Sequence, residues 1–367
     1  MDNTVLTDRE SKKRNSLKEK KPYVYEKIQK FEEKIRRGES IAIIQMQYNY
    51  ACNFHCTHCS IKRFRGINSN HSMNVDDVRE LARQADELGL ARFVITGGEP
   101  LVFKDFDQIV EAIDPQKFYI NVDTNGWFLD LERAKHLKEI GVDRVQLSID
   151  NLEEEGHDAF RAHEGSFKHT MDAVKACQDA GLDLFIQTVV TKQRLYTDEF
   201  IRFIEYFNGM NIGVFVSFAK PVGAWEGQYD IMIDDDDLKF FNTLEKKYHV
   251  YSHLTPGYGL EMGCIAVKGM FSVTQYGDVL PCPYIHVSIG NIFNEPLKDI
   301  IERGFKIKYF GEHVDVCTIA QDKDFICKYI EKCVYNHELP VNSEEVFGEE
   351  AVTKIPFHET LREKEMK

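Results

Sequence analysis

Cys52-Asn-Phe-His-Cys56-Thr-His-Cys59 places three thiols within eight residues, spaced C-x3-C-x2-C. Three thiolates can hold three irons of a [4Fe–4S] cube and leave the fourth iron without a protein ligand. Soft thiolates suit iron–sulfur clusters, and ligation by closely spaced Cys is recurrent. An iron with an open site suits chemistry on a bound small molecule, whereas an electron-carrier cluster is closed by four Cys. The alternatives are a zinc site or buried thiols. Zinc knuckles favour paired C-x2-C units with downstream His. His55 and His58 lie inside the loop, so composition alone leaves zinc open, although the spacing argues against it.

Gly97-Gly98-Glu99-Pro100 begins 38 residues after Cys59 and directly follows the apolar run Arg92-Phe93-Val94-Ile95-Thr96. Glycines let a backbone approach a ligand closely, and a carboxylate pairs with an ammonium. The triple Cys and this turn together resemble the radical S-adenosylmethionine (SAM) superfamily. The resemblance implies that Cys52, Cys56 and Cys59 ligate the SAM-binding [4Fe–4S] cluster. His58 then stands where the family carries an aromatic residue beside the adenine. Gly97, Gly98 and Glu99 form the turn that receives the methionine amino group.

Further cofactor-binding positions follow from the same resemblance. Asn125 lies in Asp123-Thr124-Asn125-Gly126, and Ser148 and Asp150 end the run Val145-Gln146-Leu147-Ser148-Ile149-Asp150. In relatives such positions contact the ribose or carboxylate of SAM. Arg161 closes His157-Asp158-Ala159-Phe160-Arg161 and matches an Arg that reaches the SAM carboxylate, a role suited to its planar fork. Read without the family, Asn125 is a turn cap and Arg161 a surface ion pair. Gln187 and Thr191 fall at the inner face or end of a fifth strand.

A second Cys group occupies the C-terminal part: Cys264, Cys282, Cys317, Cys327 and Cys333. Two strand-like runs meet at Tyr276-Gly277-Asp278, a hairpin signal that brings Cys282 back towards Cys264. Cys177, on a helix, reads as a core residue. The segment resembles the SPASM/twitch extension of radical SAM enzymes through Cys264, Gly277 and Cys282, and through Cys327-x5-Cys333. Asp324 and His337 stand where full SPASM domains carry Cys, and five thiols are too few for two fully Cys-ligated clusters. The resemblance therefore implies one auxiliary [4Fe–4S] cluster held by Cys264, Cys282, Cys327 and Cys333. Cys317 is a spare, a substitute ligand or a catalytic hydrogen-atom donor, with the spare as the default. A structural zinc ribbon is the alternative for the segment.

These residues need a scaffold. Short apolar runs at 41–47, 92–96, 118–122, 145–149, 184–190 and 213–218 alternate with helical patterns at 75–88, 131–140, 166–180 and 198–206. That alternation is the βαβ signature of a parallel sheet. Six such units imply an α/β fold, the partial (β/α)6 barrel of the radical SAM family, followed by a small α+β twitch/SPASM-like domain. The motifs lie where strands end and loops follow. The expected spans are a charged, solvated arm at 1–39, the barrel at 40–220, a linker with one helix at 221–260, the auxiliary domain at 261–340 and a polar tail at 341–367. Docking of a partner or an anionic ligand is the alternative use of the arm.

A chain of 367 residues with 43% hydrophobic residues can bury one large core and a small one. A net charge of −14 argues against nucleic-acid binding. No secretory segment and no long apolar run is present, so the sequence reads as soluble and cytoplasmic, with no membrane partner. Nine Cys then indicate metal or redox work. The resemblance implies reductive SAM cleavage to a 5′-deoxyadenosyl radical, fed by a reductant such as flavodoxin or ferredoxin, and hydrogen abstraction from a substrate C–H. An auxiliary cluster would accept the leftover electron in a net oxidation. The ~39 residues before the first strand are too few for an independently folded leader-binding domain. A small polar metabolite, of sugar or aminocyclitol type, is therefore the expected substrate. Epimerisation or cross-linking of a ribosomal peptide is the alternative, and an iron–sulfur electron carrier or scaffold is the alternative of another class.

Overall fold

The computed structural model describes residues 8–67, 71–257 and 260–363. Six parallel strands form its centre: β1 (Ile43–Asn49), β2 (Arg92–Gly97), β3 (Tyr119–Thr124), β4 (Arg144–Ser148), β5 (Asp183–Val190) and β6 (Gly213–Phe218). Each pairs with the next in chain order. Outward positions such as Ile44, Met46, Phe93, Ile95, Val122 and Leu147 are buried under helices. Alternate residues, including Gln45, Gln47, Thr96, Asp123, Ser148, Gln187 and Ser217, line a cavity on the other face. The period of two along each strand separates an apolar coat from a polar interior.

Helix starts follow local chemistry. Asn74 and Asp77 form a capping box for helix Val75–Glu87. Asp130 caps Leu131–Glu139, and Thr197 caps Asp198–Gly209. The acidic run at 234–237 is the first turn of helix Asp235–Lys247, with Asp234 and Asp237 closing a second capping box.

The sheet is wider than six strands. After helix Asp235–Lys247, in the segment read as a linker, β7 (Val250–Ser252) pairs parallel to β6. Three residues are too short to register as a strand by pattern. At the other edge β9 (Met270–Val273) pairs parallel to β1, and β10 (Val279–Leu280) folds back on β9 through the Thr274–Asp278 turn. The expected hairpin therefore forms, and it also extends the central sheet. Among the described residues the order β10-β9-β1-β2-β3-β4-β5-β6-β7 leaves the two ends unpaired, so the sheet stays open.

Two terminal expectations are corrected. The N-terminal arm is docked and not merely solvated. Helices Pro22–Gln29 and Phe31–Arg36 bury Val24, Phe31 and Ile35. Their lysines reach carbonyls that follow barrel helices. Lys21 Nζ donates to Phe118 O and Gly141 O, each at 3.2 Å, and pairs with Asp143. Lys27 Nζ donates to Leu90 O at 2.9 Å and Lys117 O at 3.0 Å, and pairs with Asp86 at 2.6 Å. Lys34 Nζ donates to Leu88 O. Carbonyls at helix C-termini lack intrahelical partners, and ammonium groups suit that end of the dipole. The C-terminal segment is equally engaged. Val341–Asn342 pairs with Val287–Ser288, and Arg362–Glu363 pairs with β8 (Leu260–Glu261). Phe347 joins Tyr309, Phe325 and Tyr329, and Phe357 is buried in one cluster with Val24, Phe31 and Ile35.

Candidate active site

The three-Cys loop leaves β1 and lies over the carboxyl ends of the strands. Gly98 N donates to Asn49 O and Glu99 N to Ala51 O, each at 2.8 Å. Cβ atoms built at Gly97 and Gly98 would collide with Asn49 O and Ala51 O respectively. The two glycines therefore admit the stem of the Cys loop, not only a ligand. A third glycine does the same from the other side. Gly223, at φ +63°, brings its backbone against the Cys59 and Ser60 carbonyls, and Ala224 N donates to Cys59 O at 3.0 Å.

Glu99 lines the cavity together with Gly97 and Gly98. Its carboxylate is buried and accepts from Thr124 Oγ1 at 2.6 Å, Asn125 N at 2.8 Å and Leu101 N at 3.0 Å. Three donors of the chain occupy it, so it staples the end of β2 to the end of β3. Burial raises its pKa, against the pull of those hydrogen bonds. Asn125 extends the staple: its Nδ2 donates to Asn53 Oδ1 at 2.9 Å, inside the Cys loop, and its Oδ1 accepts from Trp127 N.

Asp150 and Arg161 form a buried ion pair at 2.5 Å. Burial alone would raise the Asp150 carboxyl, but Arg161 and the Val189 N–H hold it down at about 2. Arg161 also sets Nη1 3.9 Å from Cys56 Sγ. Arg161 lines the cavity; Asp150 stands behind it as its positioning partner. Ser148 and Gln187 line the same cavity, whereas Thr191 caps helix Lys192–Leu195.

His58 stacks on Phe160 at 4.2 Å and 15°, with Trp225 at 5.7 Å. Burial, then the charge of Arg161, lowers its pKa to about 3. It is therefore a neutral ring in an aromatic wall, where an adenine can stack. Thr57 ties the loop to this wall through Phe160 O, by its N–H at 3.1 Å and its hydroxyl at 3.0 Å.

Burial pushes the Cys52 and Cys59 thiols up, and Arg65 pulls both back. Metal displaces such protons outright. Three half-buried soft donors flanked by Arg65 and Arg161 fit an anionic, thiolate-held cluster. Arg65 was not singled out from sequence; it donates Nη1 to Phe54 O at 3.0 Å. Lys220, Trp225 and Tyr284 also line the cavity and lacked any motif. Asp123 faces the same cavity, and burial raises its pKa to about 7.

Backbone pairing brings part of the second Cys group together. Cys264 N donates to Val314 O at 2.7 Å, and Gly263 bridges Val314, so the strand of chain leading to Cys317 runs beside Cys264. Thr318 Oγ1 lies 3.9 Å from Cys264 Sγ. The hairpin delivers Cys282 to the same place. Burial, then the nearby Cys264 and Cys317, pushes the Cys282 thiol up to about 12; Cys317 is buried and raised to about 11. Cys327 is exposed on the π-helix Ile326–Glu331, and Cys333 is partly buried after it. Cys282 and Cys317 thus lie on the Cys264 side of the domain, and Cys327 is exposed. Soft donors of this kind suit iron–sulfur ligation. His337 gives its carbonyl to Arg63, and Asp324 lies near Cys327. Cys177 is buried in the core, as expected.

Two family models match the chain. The radical SAM superfamily model matches residues 46–207, and the iron–sulfur cluster-binding SPASM domain model matches residues 264–333. An AdoMet-dependent heme synthase of Methanosarcina barkeri is 24% identical over 323 residues, covering 79% of this chain and 89% of its own. A probable GTP 3′,8-cyclase of Methanocella arvoryzae is 30% identical over 172 residues, covering 47% of this chain and 55% of its own. Among solved structures, Streptococcus suis SuiB bound to S-adenosylmethionine superposes with a TM-score of 0.59 at 17% identity, covering 83% of this chain and 76% of its own. Native anSMEcpe with bound AdoMet gives 0.55 at 19% identity, covering 71% and 80%. No helix among the described residues is long and apolar enough to cross a membrane.

Proposed function

This chain belongs to the radical SAM superfamily and carries a C-terminal SPASM iron–sulfur domain, and from that premise we propose that it removes a hydrogen atom from a small polar substrate. Its cofactors are SAM, a SAM-binding [4Fe–4S] cluster and auxiliary iron–sulfur. When bound, these supply one-electron cleavage of the SAM sulfonium and a carbon radical able to abstract hydrogen.

The chain's residues hold the parts in place. Cys52, Cys56 and Cys59 are the ligands of the first cluster. Arg161, held by Asp150, presents its guanidinium beside Cys56 and can take a carboxylate. His58, Phe160 and Trp225 offer a flat apolar face. Ser148 and Gln187 supply hydroxyl and amide contacts. Cys264, Cys282 and Cys317 bear the auxiliary cluster, and an electron-carrier protein such as flavodoxin or ferredoxin supplies the electron.

The observation that carries the substrate class is the polar cavity wall. Gln45, Gln47, Thr96, Asp123, Ser148, Gln187 and Ser217 all face it. Such a lining favours a hydrogen-bonding substrate over an apolar one. A second reading, a haem precursor, draws on the M. barkeri relative, which covers 79% of this chain. The test is anaerobic reconstitution with SAM and dithionite. 5′-Deoxyadenosine should form in the wild type and vanish in the Cys52→Ala/Cys56→Ala/Cys59→Ala protein. Candidate polar metabolites and haem precursors should then be screened for product. Undiminished 5′-deoxyadenosine in the triple variant would overturn the assignment.

A further inference from the structure

Lys220 follows β6 and is buried, at 5% exposure, yet it lines the cavity. Its Nζ donates to Phe218 O at 2.5 Å and Ser217 Oγ at 3.3 Å, and lies 4.0 Å from the centre of the Tyr284 ring. All three partners are uncharged. Among the described residues no carboxylate pairs with Lys220. An ammonium has three donors, and two are accounted for. A buried cation without a counter-ion costs several kcal/mol unless something compensates it.

The other cations of the cavity are disposed differently. Arg161 is matched by Asp150 and sets Nη1 3.9 Å from Cys56 Sγ of the first loop. Lys220 instead lies over the ring of Tyr284, on the side of the cavity that leads to Cys282. Tyr284 is there too: its hydroxyl lies 3.0 Å from Ser217 Oγ, two residues after Cys282. An ammonium and two hydroxyls converge where the cavity meets the second Cys group.

We propose that Lys220, Ser217 and Tyr284 form a subsite for an anionic oxygen group of the substrate, a carboxylate or a phosphate. The subsite rests on the reading of this cavity as the substrate pocket, and adds the charge of the group that is gripped. Anchoring the anion beside the auxiliary thiols leaves the rest of the substrate to reach towards the SAM-binding loop. The polar wall between the two, from Gln187 to Asp123, then meets the remainder of the molecule.

The test uses reconstituted, SAM-saturated protein and two probes, succinate and inorganic phosphate, titrated by calorimetry. One anion per chain should bind, and the preferred probe distinguishes carboxylate from phosphate. Lys220→Met should weaken that binding by about ten-fold or more, about 1.4 kcal/mol or more, whereas Lys220→Arg should stay within about three-fold. Tyr284→Phe keeps the ring under Lys220 and loses the hydroxyl; it should weaken binding by about three-fold, and it decides the matter if Lys220→Met does not fold. Absence of binding to wild type, or equal binding by wild type and Tyr284→Phe and Lys220→Met, overturns the subsite. Binding seen only without SAM also overturns it, because Lys220 would then be serving the SAM carboxylate. Turnover is not measured, so a protein that never cleaves SAM can still pass, and one that cleaves it can fail.

Discussion

Asp123 and Cys317 are the residues whose environments make the sharpest predictions. Asp123 accepts from Asn121 Nδ2 at 2.7 Å, but burial dominates and its pKa rises to about 7. The unfolded chain ionises near pH ~4, so the folded form holds an extra proton between that value and 7. Stability from this group is therefore full at low pH and is lost as pH rises towards 7. Asp123→Asn should flatten that slope and, at pH 8 without SAM, raise stability by roughly 1–3 kcal/mol in urea denaturation. An unchanged slope would contradict it. Cys317→Ala should lower auxiliary iron content, and Cys327→Ala should leave it as in wild type. The reverse result would restore the ligand set suggested by the C-x5-C spacing. Cys52, Cys56 and Cys59 stand out in sequence because the chain spaces them locally. Cys317 reads there only as a spare, a substitute ligand or a hydrogen donor, because its neighbour Cys264 lies far away in sequence and meets its segment through the Gly263–Val314 bridge.

Elements show the same division. The six central strands and the hairpin at Tyr276-Gly277 were legible from apolar runs and turn residues. β7 escaped because it is three residues long and draws its stability from pairing with β6. The 222–225 turn escaped too, since its role lies in what it touches. A methyl at Gly223 would meet the Cys59 and Ser60 carbonyls, and φ +63° disfavours any side chain. Gly223→Ala should therefore displace the Cys loop. The expected outcome is loss of about one cluster's iron and of SAM cleavage, with the auxiliary cluster's absorbance retained. Full iron loading in that variant would show that the turn is free to yield.

At the scale of the molecule, polar terminal segments conceal structural work. A lysine-rich helix looks solvated in sequence, because nothing local reveals which carbonyls its ammonium groups will meet. Lys27 sits between Leu90 O, Lys117 O and Asp86, and burial lowers its pKa. Lys27→Met would take this donor from two carbonyls and leave Asp86 to Tyr23 and Lys117 alone. It should cost about 2–4 kcal/mol, read as a lower urea midpoint with unchanged SAM cleavage per folded molecule. A shift below about 0.5 kcal/mol, the usual range for a surface site, would mean that the arm is only loosely attached.

The docked arm also bears on the order of events during synthesis. Its lysines leave the ribosome early, but their acceptors come much later: Lys34 waits 54 residues for Leu88, Lys27 waits 90 for Lys117, and Lys21 waits 122 for Asp143. Phe357, which packs into the same apolar cluster, is made later still. A nascent chain halted before residue 117 has only part of its landing surface, so the arm should stay open to protease in stalled chains and become resistant only after the fourth strand has emerged. A segment translated before its acceptors is thus among the last to settle, and the floor of the barrel is sealed only once its walls are built.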